Sequence, residues 1–289
     1  MLKILGVPFN GDGTNISIEN PSEVIRNQLL NLSIFNKINF KDYGDLEIPA
    51  YTNKKDINTG ILNFETWKKL SNRISEKMKE IFFQEDFLFI LAGDCSVLNG
   101  IFDHFKNIKK NVGLIFFDGH ADFKSVKTSE SGEPADMELA VLTGYSSEEA
   151  VKMTGQGPLL NEEEVIVFGI TDYDLIEKSS ILVYDYIKMF ELGIENAVEI
   201  GVDHFITANT PVWIHFDVDV LDTAIMPAVM FPVSNGFTQE ETKIFFKTIF
   251  SKLEVIGMSV SCYHPNLDYK KKGLANLTTI LEFVLTLFN

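Results

Sequence analysis

Five apolar runs in this chain each end in a polar cluster, at residues 93–96, 118–122, 171–174, 217–222 and 261–264. The runs cover residues 87–91, 112–117, 165–170, 212–216 and 255–260, and they are short, continuous and rich in Val, Ile and Phe. That is the pattern of strands buried on both faces. Helical patterns alternate with them. Phe64, Trp67, Leu70, Ile74, Met78 and Ile81 recur at spacings of three and four, which predicts a long amphipathic helix. Asn20-Pro21-Ser22-Glu23 reads as a helix start, with Asn20 as N-cap, Pro21 in the first helical position and Glu23 reaching back. Thr238 and Glu241 form a capping box for another helix, and residues 195–206 and 274–288 carry further helical patterns. A short strand is expected at residues 2–5, and a loop with an edge strand at 42–48. Strands alternating with helices predict an α/β fold on a mostly parallel sheet. In such a sheet the polar clusters share one edge, at the carboxyl ends of the strands, where binding crevices open.

The 289 residues show no internal repeat, linker or low-complexity segment, and 45% of them are hydrophobic. One domain spanning 1–289 is therefore expected. The formal net charge of −16 disfavours nucleic acid and anionic membranes as partners, since both carry the same sign. No apolar run reaches the length of a membrane span. The first eight residues lack a signal-peptide pattern, and two cysteines, Cys95 and Cys262, imply no disulfide framework. The expected location is the cytoplasm.

The cluster richest in chemistry is Asp118-Gly119-His120-Ala121-Asp122. An extended chain places residues two apart on the same side, so Asp118, His120 and Asp122 are expected to project together. Asp217 and Asp219 repeat the alternation after the run at 212–216. Four carboxylates around one histidine repel unless cations sit among them. A site for two divalent metals follows. Solvated turn acids are the plainer reading, which one such alternation would allow better than two. The polar stretch 125–134 reads as a long loop beside this site, suited to substrate contacts.

The ordered motifs resemble those of the ureohydrolase family, which includes arginase, agmatinase and formiminoglutamase. They are Ala92-Gly93-Asp94-Cys95-Ser96, the Asp118–Asp122 cluster, and Asp217-Val218-Asp219-Val220-Leu221-Asp222, with Pro227-Ala228 after them. The likeness runs from Gly6-Val7-Pro8 through Asn20-Pro21 and Ile25-Arg26 to His264-Pro265. It implies a three-layer αβα enzyme with an eight-stranded sheet and two divalent metals, manganese first among them. By position, Asp118, Asp122 and Asp217 would supply carboxylates to the metals, some of them bridging, and His120 and Asp219 would complete one ion. Cys95 would take the remaining ligand position. The resemblance implies attack of metal-activated hydroxide on the carbon of a small guanidino substrate, releasing urea and an amine. Asp122 would hold the hydroxide and move its proton. Lys124, Ser131, Asp174 and Glu177 match positions around the substrate's far end. A homotrimer or homohexamer is also implied.

Three positions depart from the family pattern. Cys95 replaces a metal-binding histidine, and a thiolate favours zinc, iron or other thiophilic metals over manganese. Ala135 stands where arginases carry a catalytic histidine. Cys262 stands where a glutamate grips the guanidinium. These losses keep open a non-catalytic or regulatory relative with a partial metal site, and a hydrolase of another C–N bond. His104, His204, His215 and His264 have no motif support beyond the proximity of the last two to the motifs, and each reads as a structural or surface histidine.

Overall fold

The strand-forming runs pair into one eight-stranded sheet in the order β2-β1-β3-β8-β7-β4-β5-β6, with every pairing parallel. The structure is a computed structural model that describes residues 1–12, 19–83 and 85–287. Its strands are β1 (Leu2–Val7), β2 (Phe40–Asp45), β3 (Phe87–Ala92), β4 (Gly113–Phe117), β5 (Val165–Phe168), β6 (Leu182–Tyr184), β7 (Val212–Asp217) and β8 (Val255–Ser261). The helices are α1 (Pro21–Leu30), α2 (Phe64–Ile81), α3 (Leu98–Asn107), α4 (Glu138–Thr143), α5 (Glu148–Val151), α6 (Tyr186–Leu192), α7 (Ile194–Ala208), α8 (Gln239–Lys252) and α9 (Lys272–Thr286). The expected sheet and the expected layers are both present. Residue 288 of the pattern over 274–288 lies outside the described residues.

The central strands are apolar on both sides because both faces are covered. Along β3, Phe87, Phe89 and Leu91 enter one core with α1, α7, α8 and α9, while Leu88, Ile90 and Ala92 enter the other with α2 and α3. β4 divides the same way, with Ile115 and Phe117 on one face and Leu114 and Phe116 on the other. This alternation is what a parallel sheet between two helical layers requires. Lys3 is the exception in β1. Its buried ammonium reaches Asp86 and the Ile81 carbonyl at the end of α2, so the cation meets a carboxylate and a helix C-terminus together.

Helix starts follow the sequence signals with one difference. Thr238 and Glu241 cap α8 reciprocally, as expected. At α1 the Asn20 side chain accepts from the Glu23 amide, but its own amide group donates to Asp45 of the edge strand β2. The cap therefore also ties α1 to the sheet edge.

Gly257 in β8 marks a close approach. A Cβ there would lie 2.2 Å from the Trp213 ring on β7 and 2.7 Å from the Leu88 carbonyl on β3. Neither neighbour can yield, since one is a fully buried indole and the other is ladder backbone. Gly257→Ala is expected to cost about 1–3 kcal/mol, read as a lowered thermal midpoint. An unchanged midpoint would show that the sheet relaxes there.

Candidate metal centre

The acids at the carboxyl edge converge, though not by extended alternation. Asp118 ends β4 by accepting the His120 amide at 2.8 Å, which turns the chain at once. Asp122 then adopts a left-handed backbone, φ 46°. Asp217 ends β7 the same way, accepting the Asp219 amide at 2.8 Å and opening a 3₁₀ turn over Val218–Val220. The expectation of a continued strand is corrected here, because aspartate closes such turns readily through its own side chain. The turns fold the acids inward. His120 Nδ1 lies 3.0 Å from Asp219 Oδ2 and 3.9 Å from Asp118 Oδ1. The Gly119 amide donates to Asp219 Oδ1 at 3.2 Å.

Cys95 reaches this group from the end of β3. It opens a 3₁₀ turn over Cys95–Val97 whose cap, Asp94, accepts the Ser96 amide at 3.1 Å and the Gly11 amide at 2.6 Å. Its Sγ stands 2.7 Å from Asp217 Oδ2, 4.0 Å from Asp118 Oδ2 and 3.4 Å from Cys262 Sγ. Cys262 follows β8 with φ 66°, and its amide donates to the Gly93 carbonyl at 3.0 Å. Across the edge, the Thr171 amide donates to the Gly119 carbonyl at 2.8 Å. Four strand ends are thus tied in two pairs, β8 to β3 and β5 to β4, by main-chain groups.

These acids are buried, which argues against solvated turn residues. Asp118 and Asp217 are each 1% exposed, Asp219 6% and Asp122 9%. Burial drives the Asp118 carboxyl well above its ordinary pKa, and the neighbouring Asp122, Asp217 and Asp219 push it further. Asp217 is raised to about 8 by burial and then by Asp219. Burial and then Glu138 raise Asp122. Burial also pushes the Cys95 thiol up, with Cys262 and Asp217 adding to it. For His120 burial opposes the charged form, but the Asp219 carboxylate outweighs it and raises the imidazole to about 9. The cluster lacks enough positive charge of its own to ionise fully.

Its donors suit divalent cations. Ligand atoms lie within 4.8 Å of one another in three overlapping groups: Asp118, His120 and Asp219; Cys95, Asp118, His215 and Asp217; and Cys95, Asp122 and Glu138. Thiol sulfur, imidazole nitrogen and carboxylate oxygen together match borderline metals such as zinc or iron, and the carboxylates alone would also suit manganese. Two members, His215 and Glu138, were not anticipated as site residues. His215 lies two residues before Asp217 on β7, with Nδ1 2.9 Å from Ser259 Oγ and Nε2 3.4 Å from Ser261 Oγ. Burial lowers its pKa to about 3, so it is neutral. Glu138 is fully buried at the start of α4. The one sequence signal for it is a lone charge opening the otherwise uncharged stretch 137–144.

The outer residues surround the entrance unevenly. Lys124 Nζ lies 3.6 Å from Asp136, and the fields of Asp174, Asp122 and Asp172 also reach it. Asp174 is half-buried, with a left-handed backbone at φ 46°. Ser131 Oγ donates to Asp136 Oδ2 at 2.8 Å and accepts the Glu133 amide at 3.0 Å, so it braces its own loop. Glu177 is exposed on a 3₁₀ turn over Ile176–Lys178, beside Tyr173. Ala135 sits in a 3₁₀ turn over Pro134–Asp136. His104 is buried against the rings of Phe82 and Phe105, His264 is buried beside Pro265, and His204 reaches the Glu163 carbonyl on the surface. No helix among the described residues is long and apolar enough to cross a membrane.

A family model described as the arginase family matches residues 2–285. The chain belongs to the arginase family. It is 26% identical to the arginase of Bacillus subtilis over 250 residues, covering 85% of this chain and 83% of that protein. Among solved structures, the arginase of Bacillus cereus superposes with a TM-score of 0.86 at 22% identity, covering 98% of each chain. The formimidoylglutamase of Bacillus subtilis superposes with a TM-score of 0.76 at 17% identity, covering 99% of this chain and 86% of that one. The two structural likenesses are likenesses of fold. The shared arginase-family fold accounts for the eight parallel strands and for the edge on which the acids gather.

Proposed function

We propose that this arginase-family chain is a metal-dependent hydrolase that cleaves a C–N bond of a small guanidino compound, releasing urea and an amine. The observation that carries the reading is the convergence at one sheet edge of the buried Cys95, Asp118, Asp122, Asp217 and Asp219 with the half-buried His120. Cys95, Asp118, Asp122 and Asp217 would hold one divalent ion, and Asp118, His120, Asp217 and Asp219 the other. Bound there, the ions would supply Lewis acidity that makes water a nucleophile near neutral pH. The protein's own groups do the rest. Asp122 accepts a hydrogen bond from the attacking water and passes its proton to the leaving nitrogen as the C–N bond breaks. Lys124 at the entrance offers a cation to a substrate carboxylate, and Asp174 offers an anion to a substrate amine. That pairing suits an amino-acid tail, as in arginine, better than a simple amine such as agmatine. Ser131 steadies the loop that closes this side.

A second reading has its own support. Ala135 brings no imidazole to the loop, and Cys262 brings a thiol in place of a carboxylate that would grip the guanidinium. A non-catalytic relative that keeps the metal centre would look the same. Urea release from arginine, agmatine and guanidinobutyrate, each with Mn²⁺, Zn²⁺, Fe²⁺ and Co²⁺, separates the two. Urea is expected from at least one pair, and Asp122→Asn is expected to lower kcat by about 10²-fold or more. No turnover with any pair would leave the non-catalytic reading standing.

A further inference from the structure

We propose that Glu138 is a metal ligand in this chain, forming with the Cys95 thiol and the Asp122 carboxylate a donor set for one divalent cation. The inference rests on the metal-centre reading above and extends it to a residue outside the recognised motifs. Glu138 is 0% exposed, and beyond its own amide the group its carboxylate meets is another carboxyl, that of Asp122. Its carboxylate faces Asp122, with Asp118 and Asp94 beyond. Every charged neighbour named is an acid. A hydrogen bond between the Asp122 and Glu138 carboxyls needs a proton on one of them, which is then the donor. Burying two facing carboxylates with no counter-charge costs several kcal/mol, so such a pair shares a proton or ligates a metal.

The spacing favours the cation. One ligand atom each from Cys95, Asp122 and Glu138 lies within 4.8 Å of the other two. Ligand bonds of about 2.0–2.3 Å put donors on a single ion at most about 4.6 Å apart, so a group of this spread closes on one ion with a small inward movement of its side chains. Sulfur at one corner gains little from a shared carboxyl proton but forms a strong bond to a borderline metal. The second set, Asp118, His120 and Asp219, uses none of these three residues. The two sets therefore fit two ions side by side. The position of Glu138 is also fixed. It opens α4 directly after the 3₁₀ turn over Pro134–Asp136, and the helix behind it is buried throughout.

Metal counting tests this without turnover. Metal-free wild type and Glu138→Gln are titrated with Mn²⁺ and with Zn²⁺ by calorimetry, and the bound metal is measured after gel filtration. The wild type is expected to take two equivalents. Glu138→Gln is expected to lose one of them, or to bind it at least tenfold more weakly, with the other unchanged. Glu138→Asp should recover part of the loss. Equal stoichiometry and affinities within twofold in Glu138→Gln would overturn the assignment. If Glu138→Gln does not fold, a crystal structure of zinc-loaded wild type decides. A Glu138 oxygen about 2.0–2.2 Å from an ion supports the assignment, and a Glu138 turned wholly to Asp122 refutes it. A wild type that takes up no ion would remove the metal-centre reading itself, whereas two ions bound equally by both proteins would remove only this extension.

Discussion

Replacing Cys95 with histidine is expected to raise Mn²⁺ affinity at least tenfold and to lower the share of zinc in protein purified without added metal. The wild-type sulfur stands 2.7 Å from Asp217 Oδ2 and 3.4 Å from the second thiol at Cys262. A thiolate there adds a soft, charged donor to a carboxylate set, and softness selects zinc, iron or copper(I). Imidazole is neutral and harder, so the exchange removes both the softness and one negative charge. The charge also matters within the cluster, because Asp217 and Asp118 both oppose ionising the buried thiol. A metal must therefore displace the Cys95 proton, and binding to wild type is expected to release more protons than binding to Cys95→His. Elemental analysis of the two proteins, prepared side by side, reads the result. The same metal at the same occupancy in both would mean that Cys95 is a buried, inert thiol.

The metal-free protein is expected to lose stability steadily as pH rises from about 4 to 9. Asp118, Asp122 and Glu138 all have pKa values raised well above ordinary, Asp217 is raised to about 8, and burial is the leading cause for each. An acid raised in the folded state binds a proton there that the unfolded chain has already lost. Its stabilising contribution is full below the unfolded pKa and disappears as pH climbs through the folded one. His120, raised to about 9 by Asp219 against the effect of burial, acts in the same direction. Each raised unit corresponds to about 1.4 kcal/mol, so the Asp217 shift alone amounts to several kcal/mol. For a chain of this size that is a fall in thermal midpoint on the order of 10 °C. Divalent metal should replace the protons, restore the midpoint above pH 7 and flatten its pH dependence. Melting curves across this range, with chelator and with Zn²⁺ or Mn²⁺, check the sign. A flat metal-free profile would show that the acids are ionised and solvated.

Much of this was legible in the residues. The five apolar runs that became β3, β4, β5, β7 and β8 are buried on both faces, the short strand expected at residues 2–5 became β1, and α2 showed its stripe from Phe64 to Ile81. β6 gives no clear signal because it is three residues long at the outer edge, with Leu182 exposed and only Tyr184 buried. The acids of the centre were found for an incomplete reason. Period-two alternation predicted their convergence, whereas Asp118 and Asp217 achieve it by closing turns on their own side chains. His215 and Glu138 could not be placed by motif. His215 looks like any polar residue inside a strand, and its depth below Cys95 depends on how β7 sits beside β8. Glu138 looks like an N-terminal helix acid, which the macrodipole alone would explain. Only the packing of α4 under the sheet edge shows that its carboxylate points inward.

The ties between strand ends have an evolutionary consequence. Cys262 to Gly93 and Thr171 to Gly119 are amide-to-carbonyl bonds, indifferent to which side chain occupies position 95 or 262. Mutation can therefore exchange sulfur for nitrogen or oxygen at those positions while the spacing of the remaining groups persists. The scaffold can thus drift between ions by single residue changes that leave these two ties in place.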